Sequence, residues 1–136
     1  MRYLLDTNII SEPLRPRPAP GIMRRLREHE EDIAIAAPVW HELRFGCLRL
    51  TRSTRKQAVE RYLEEVVLAS FPVLEYDRAA ADWHAGERAR LTAAGGTPPF
   101  VDGQIAAIAF VNKMTLVTAN TRDFQGFQGL KVQNWA

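Results

Sequence analysis

Apolar residues fall along the chain in short solid blocks, separated by longer stretches in which they recur every three or four positions. This is the alternation of strand and helix that builds α/β domains. The first block, Tyr3-Leu4-Leu5, ends abruptly in Asp6 and reads as a short buried strand that stops at a carboxylate. Thr7 and Asn8 are placed to cap a short turn through Glu12, after which Pro13, Pro16, Pro18 and Pro20 keep the backbone extended. A helix is expected from residue 22 to about residue 30. Its basic residues Arg24, Arg25 and Arg27 precede Glu28, Glu30 and Glu31, the wrong order for the helix macrodipole, a mismatch on the order of tenths of a kcal/mol.

Residues 32–36 read as a second strand, and Pro38 opens a helix to about residue 50 with Glu42 one turn inside it. A further helix from residue 54 to about 69 carries Ala58, Tyr62 and Val66 on one stripe, and the two helices form a hairpin joined around residues 51–53. Residues 71–75 supply a third strand. Asp77 then starts a long helix to about residue 93, stopped by Gly95-Gly96. Pro98-Pro99 set the start of a buried helix whose apolar run follows Asp102. Residues 114–118 form the fourth strand, which leads into Ala119-Asn120-Thr121-Arg122-Asp123-Phe124, and residues 130–133 are the last strand.

Strands alternating with helices indicate a parallel sheet with helices on both faces. In such a sheet every helix between two strands begins at the carboxyl edge, where ligands bind. Asp6 follows the first strand, Glu42 lies early in the helix after the second, Asp102 lies early in the helix before the fourth, and Asn120 and Asp123 follow the fourth. Five polar side chains far apart in sequence are thus expected at one edge. For Asp6 and Asp102 the competing expectation is simple helix capping, and for Asp102 the nearby Thr97 offers an alternative cap.

The 136 residues, 46% hydrophobic and 25% charged, fit a single compact domain spanning 1–136. A net charge of +2 permits an acidic partner such as nucleic acid without demanding one. The lone Cys47 excludes an intramolecular disulfide framework and a multi-cysteine zinc site, and reads as a small buried apolar residue. The apolar block before Asp6 is too short for a signal peptide, and no run approaches the roughly 20 apolar residues of a membrane helix, so a cytoplasmic protein is expected.

Clustered carboxylates repel and raise one another's pKa unless a cation neutralises them. Oxygen-only ligands suit a hard ion such as Mg²⁺, with Mn²⁺ able to substitute, and such a site is suited to phosphodiester chemistry. His41-Glu42-Leu43-Arg44-Phe45 lacks the second histidine of the zinc-protease pattern. A phosphohydrolase of the haloacid-dehalogenase type needs a second Asp two positions after the first, where this chain has Asn8.

Four segments carry a family resemblance: Leu5-Asp6-Thr7-Asn8-Ile9-Ile10-Ser11-Glu12, Glu42-Leu43-Arg44-Phe45-Gly46, Asp102-Gly103-Gln104-Ile105-Ala106-Ala107, and Thr118-Ala119-Asn120-Thr121-Arg122-Asp123-Phe124. Together they resemble the PIN-domain nucleases, and within them the VapC-type toxins of toxin–antitoxin pairs, including the FitB-like branch. The resemblance implies a PIN-like three-layer α/β/α sandwich around a parallel sheet of four to five strands. It implies a metal-dependent endoribonuclease in which Asp6, Glu42 and Asp102 hold Mg²⁺ or Mn²⁺ and orient the attacking water. The family's final acid falls either directly after the fourth strand, where this chain has Asn120, or in the following Asp-Phe turn. Asp123 is taken as the fourth acid and Asn120 as a polar helper. The resemblance also implies a homodimer, an RNA substrate, and a cognate antitoxin whose carboxyl-terminal segment crosses the groove and which alone carries operator-DNA binding.

Thr7, Asn8 and Ser11 are candidates for orienting Asp6 or the metal's waters, with capping as the equal alternative. Arg44 is expected either on the phosphate or paired with a neighbouring acid, and Arg15, Arg17, Arg24 and Arg25 on the RNA backbone. His29 and His84 read as surface or boundary residues without partners, and Trp83 as a core or dimer-seam residue. The competing function is a non-catalytic RNA- or antitoxin-binding module, which Asn120 in place of an acid favours.

Overall fold

β1 (Tyr3–Leu5) and β2 (Ile33–Ala36) are buried at every position, as strands are when helices cover both faces of a parallel sheet. The structure is a computed structural model that describes all 136 residues. With β3 (Val73–Leu74), β4 (Thr115–Val117) and β5 (Val132–Gln133) these strands form one sheet in the order β3-β2-β1-β4-β5, every neighbouring pair parallel. The chain steps outward from β1 to β3, then returns to add β4 on the other side of β1. Crossovers run in opposite directions from β1, and since such connections are right-handed as a rule, helices cover both faces and a crevice opens at the carboxyl ends of β1 and β4.

β1 matches its apolar block, while β3, β4 and β5 are shorter than the blocks that announce them. β3 meets β2 only at Ile35 opposite Val73 and Ala36 opposite Leu74, while Phe71, expected in the strand, is a buried core residue before it. The helices are α1 (Thr7–Ile10), α2 (Pro20–Glu28), α3 (Ala37–Leu48), α4 (Thr54–Arg61), α5 (Arg78–Ala93) and α6 (Phe100–Val111). α6 is the most buried, with Ile105, Ala106, Ala107, Ile108 and Ala109 all inside, its small residues allowing close approach to the sheet. No helix is long and apolar enough to cross a membrane.

Two expectations are corrected by packing. The helix after Thr54 buries Val59, Leu63 and Val67, not Ala58, Tyr62 and Val66; Ala58 and Val66 are exposed and Tyr62 is half-buried. Both stripes have i,i+4 spacing, and beyond Arg61 the helix widens into a π-turn, Tyr62–Leu68, which rotates the later residues relative to an α-helical register. There the Tyr62 hydroxyl donates to the Ile10 carbonyl at 2.6 Å, tying this element to α1. In α2 the reversed dipole order is also not realised. The helix begins earlier, at Pro20, and ends at Glu28, so Arg25 and Arg27 occupy the favourable last turn and Glu30 lies in the 3-10 turn beyond it.

Buried polar groups lock the periphery. Glu87, only 8% exposed, is held below the usual carboxylate range first by its two hydrogen bonds from Arg90 and then by the Gln128 backbone N–H. Arg90 also donates to the Gly126 carbonyl at 2.7 Å, so this pair staples α5 to the turn before β5. Trp83, expected in a core or a dimer seam, stacks on Phe110 of α6 with ring centroids 4.6 Å apart.

Candidate active site

Asp6 stands at the end of the central strand, where its backbone N–H still bonds the Val117 carbonyl of β4 at 2.8 Å. Both of its carboxylate oxygens are used. Oδ1 accepts from the Thr7 backbone N–H at 2.8 Å, making Asp6 itself the N-cap of α1, and Oδ2 accepts from the Thr118 hydroxyl at 2.8 Å. The capping and functional readings of Asp6 are therefore compatible, since one oxygen caps while the other faces β4. Thr7 donates its hydroxyl to Glu42 Oε2 at 2.8 Å, and the Asn120 backbone N–H donates to Thr118 Oγ1 at 3.0 Å. A continuous hydrogen-bonded chain thus runs Glu42, Thr7, Asp6, Thr118, Asn120 across the carboxyl edge.

Asp102 occupies the first turn of α6, behind Pro98 and Pro99, and no side chain caps that helix. Thr97 does not serve as its cap; its hydroxyl pairs with that of Thr92 at 2.8 Å. The carboxyl of Asp102 is pushed above its ordinary range by burial first, and then by the charges of Asp6, Asp123 and Glu42. Asp6 is raised as well, again mainly by burial, with repulsion from Glu42 and Asp123 adding to it and the Thr118 and Thr7 hydrogen bonds opposing it. Glu42 and Asp123, expected with them, are close enough to raise the carboxyls of both Asp6 and Asp102. Asp123 lies in the 3-10 turn Thr121–Phe124, its N–H bonded to the Asn120 carbonyl at 3.1 Å, while the Asn120 side chain adds no charge to the group.

The helpers divide by role. Thr7 orients Glu42, and Asn8 accepts from the Ala119 N–H at 3.0 Å, pinning the loop after β4 against α1. Ser11 does neither; its hydroxyl bonds the Thr7 carbonyl at 2.6 Å and serves the local helix end. Arg44 is not paired with a neighbouring acid, and its Nη1 is buried without a hydrogen-bond partner. Arg15 lies 3.5 Å from the buried Glu12 and Arg24 lies 3.7 Å from Glu28. His84 is not a surface residue: it is 3% exposed and paired with Tyr76. His29 packs between Tyr3 and Trp135.

Thr118 was not singled out by sequence reasoning, because its value depends on β4 lying beside β1. Thr118→Val keeps the shape of this buried side chain and removes the hydroxyl from Asp6. Its expected effect is a roughly 10–100-fold loss of activity, the range for partners that orient a ligand. Because that hydrogen bond lowers the Asp6 pKa, its loss moves the acidic limb of the pH–rate profile to higher pH. An unchanged acidic limb in a folded variant would sink this role.

No three His, Cys, Asp or Glu side chains converge tightly enough to form a ready-made metal cage. The donor set nonetheless fits a hard cation that retains waters and takes only one or two carboxylates directly, as Mg²⁺ does. Two acids with raised pKa values and a third and fourth acid repelling them form a group that a divalent cation would relieve.

A five-stranded parallel sheet with carboxylates gathered beside its central strands defines an α/β domain whose ligands bind at that acidic edge. The PIN domain pattern matches residues 3–129, and the chain belongs to that family. It is 35% identical to Toxin FitB of Neisseria gonorrhoeae over 124 residues, covering 89% of each chain. It is 31% identical to the tRNA(fMet)-specific endonuclease VapC of Shigella flexneri, covering 100% of this chain and 99% of that one. Among solved structures it superimposes with a TM-score of 0.90 on a chain of FitAB bound to an IR36 DNA fragment, at 33% identity, covering 98% of this chain and 96% of that one.

Proposed function

We propose that this chain is the toxin of a toxin–antitoxin pair and a metal-dependent endoribonuclease that hydrolyses RNA phosphodiester bonds. Asp6, Glu42, Asp102 and Asp123 are its metal-holding and catalytic residues. The observation that carries the reading is the hydrogen-bonded chain from Glu42 to Asn120 with Asp6 at its centre, beside an Asp102 whose carboxyl the other three acids repel. Names of relatives support the activity: one is a toxin and another a tRNA-specific endonuclease. When bound, Mg²⁺ or Mn²⁺ supplies charge neutralisation for the phosphate and lowers the pKa of a water.

The chain's own residues do the positioning. Asp6 cannot rotate without breaking its bonds to Thr7 and Thr118, and Glu42 is tethered through Thr7 to the same helix start. Asp102 faces the group from the amino-terminal turn of α6, whose dipole favours its ionised form against the repulsion of its neighbours. Asn120 contributes its backbone N–H to the Thr118 hydroxyl. The partner is a cognate antitoxin, operator DNA is engaged only through it, and the toxin is a homodimer.

The test is cleavage of total cellular RNA by purified, antitoxin-free protein with Mg²⁺, Mn²⁺ or chelator, comparing the natural chain with Asp102→Asn. Discrete products that require metal and fall at least ~100-fold in the folded variant are the expected result, a larger loss than removal of an outer-shell partner produces. Products indifferent to metal and to Asp102 would refute the reading. No cleavage at all, with RNA or antitoxin still bound, would make the chain a non-catalytic binding module.

A further inference from the structure

Asp102 is presented by the first turn of α6, and that turn rests on α5 through a buried histidine. His84 is 3% exposed, with Nδ1 2.8 Å from the Tyr76 hydroxyl and its ring edge-on to the phenol at 77°. It packs against Phe100, ring centroids 4.7 Å apart, and the Arg88 guanidinium lies 5.3 Å from the centre of the same phenyl ring. On its other contact the imidazole meets Gly103. A Cβ at that position would overlap Nε2 and lie 2.5 Å from Cδ2 and 3.0 Å from Cε1.

Gly103 is helical, with no positive φ to explain it, so glycine is present for space and not for backbone freedom. That choice runs against helix propensity, which ranks glycine well below alanine. The absent side chain lets the imidazole seat against the α6 backbone one residue beyond Asp102. Tyr76, which anchors the imidazole, also lines a groove with Pro38, His41 and Glu42 of α3 and Val101 and Gln104 of α6. One hydrogen-bonded pair therefore links the segment after β3 to α5 and, through the imidazole, to the helix that carries Asp102.

We propose that His84, anchored by the Tyr76 hydroxyl and seated against the Gly103 backbone, is a positioning residue that sets the Asp102 carboxylate relative to Asp6, Glu42 and Asp123. The proposal rests on the active-site reading above. His84 acts through the helix, as a wedge of fixed shape. Burial first, and then the Arg88 charge, hold the imidazole below its usual pKa.

The test compares the natural chain with Gly103→Ala, His84→Ala, the double variant and Tyr76→Phe. Mn²⁺ affinity by calorimetry, and kcat and KM for RNA cleavage, are measured at a temperature where circular dichroism shows all to be folded. Gly103→Ala drives a methyl group into the imidazole and is expected to lower kcat and Mn²⁺ affinity by roughly 10–100-fold with KM changed less than about twofold. Adding His84→Ala makes room for the methyl and recovers at least ~5-fold of each, a coupling typical of residues in contact. Tyr76→Phe gives a smaller loss in the same two quantities.

Normal kcat and Mn²⁺ affinity in Gly103→Ala, or a double variant no better than Gly103→Ala, overturns the proposal. Should Gly103→Ala fail to fold, unchanged kcat and Mn²⁺ affinity in both His84→Ala and Tyr76→Phe overturns it. The natural chain is read first. If it neither binds Mn²⁺ nor cleaves RNA, the active-site reading itself has failed, and this role falls with it; a natural chain that does both isolates any failure to His84.

Discussion

Asp6→Asn is expected to reduce RNA cleavage by about 1,000-fold, beyond the roughly 10–100-fold typical of outer-shell partners, while raising the melting temperature of the metal-free protein. The two effects have one cause. Asn keeps an oxygen for the Thr7 N–H and an amide that can donate to Thr118, so the geometry at the end of β1 survives. What disappears is a half-buried negative charge repelled by Glu42 and Asp123, and with it the charge that the proposed metal would use.

The sign of the pH dependence follows from the same carboxyls. Asp6 and Asp102 titrate above their ordinary range when folded, so between that range and their folded values the native state binds more protons than the unfolded chain. Stability of the metal-free protein therefore falls as pH rises through that window, and stays lowered above it. Asp6→Asn removes one of the two contributions and flattens the fall. Thermal melts across pH 4–8, with and without Mg²⁺, check each part. The natural chain gains stability from Mg²⁺ by mass action and Asp6→Asn gains little. A metal-free variant that melts several degrees lower would contradict the repulsion account.

Trp135→Ala is expected to be the most damaging single change to stability, removing about 3–5 kcal/mol from a total of roughly 5–15 for a domain of this kind. Trp135 is 1% exposed, the largest fully buried side chain in the molecule. Its indole meets the Tyr3 ring edge-on at 5.2 Å and lies 5.4 Å from His29, so it joins the segment after β5 to the start of β1 and to the end of α2. Deleting it leaves a cavity shared by three segments that cannot collapse together. Urea unfolding of the natural chain, Trp135→Ala and Trp135→Phe measures this, with Phe retaining most of the stability. A loss under about 1 kcal/mol for Ala would show that the site relaxes around the gap.

The sheet and the gathering of the acids were legible from the chain because they depend on local information of a robust kind. Solid apolar blocks can be satisfied only by burial on both sides, and alternation of strand and helix forces each helix between strands to begin at one edge. That reasoning placed Asp6, Glu42, Asp102 and Asp123 at the same edge without knowing any strand order, and electrostatic coupling of Asp6 and Asp102 to the others agrees with it. Details that hinge on a shift of one residue were not legible. The apolar stripe along α4 and the π-turn that follows it has two readings with equal spacing, and only packing chose Val59, Leu63 and Val67.

Fold class, the polarity of the sheet and the edge at which chemistry is possible follow from the chain's own pattern, because periodicity and composition are summed over many residues and tolerate local error. Tertiary structure alone decided which side chains touch. Thr118 reaches Asp6 only because β4 pairs with β1 across more than a hundred residues. His84 is buried because Gly103 has no side chain to exclude it, and Trp135 becomes core by meeting Tyr3 from the far end of the chain. Such contacts are set by the relative placement of packed elements over a few tenths of an ångström, a quantity no local pattern encodes.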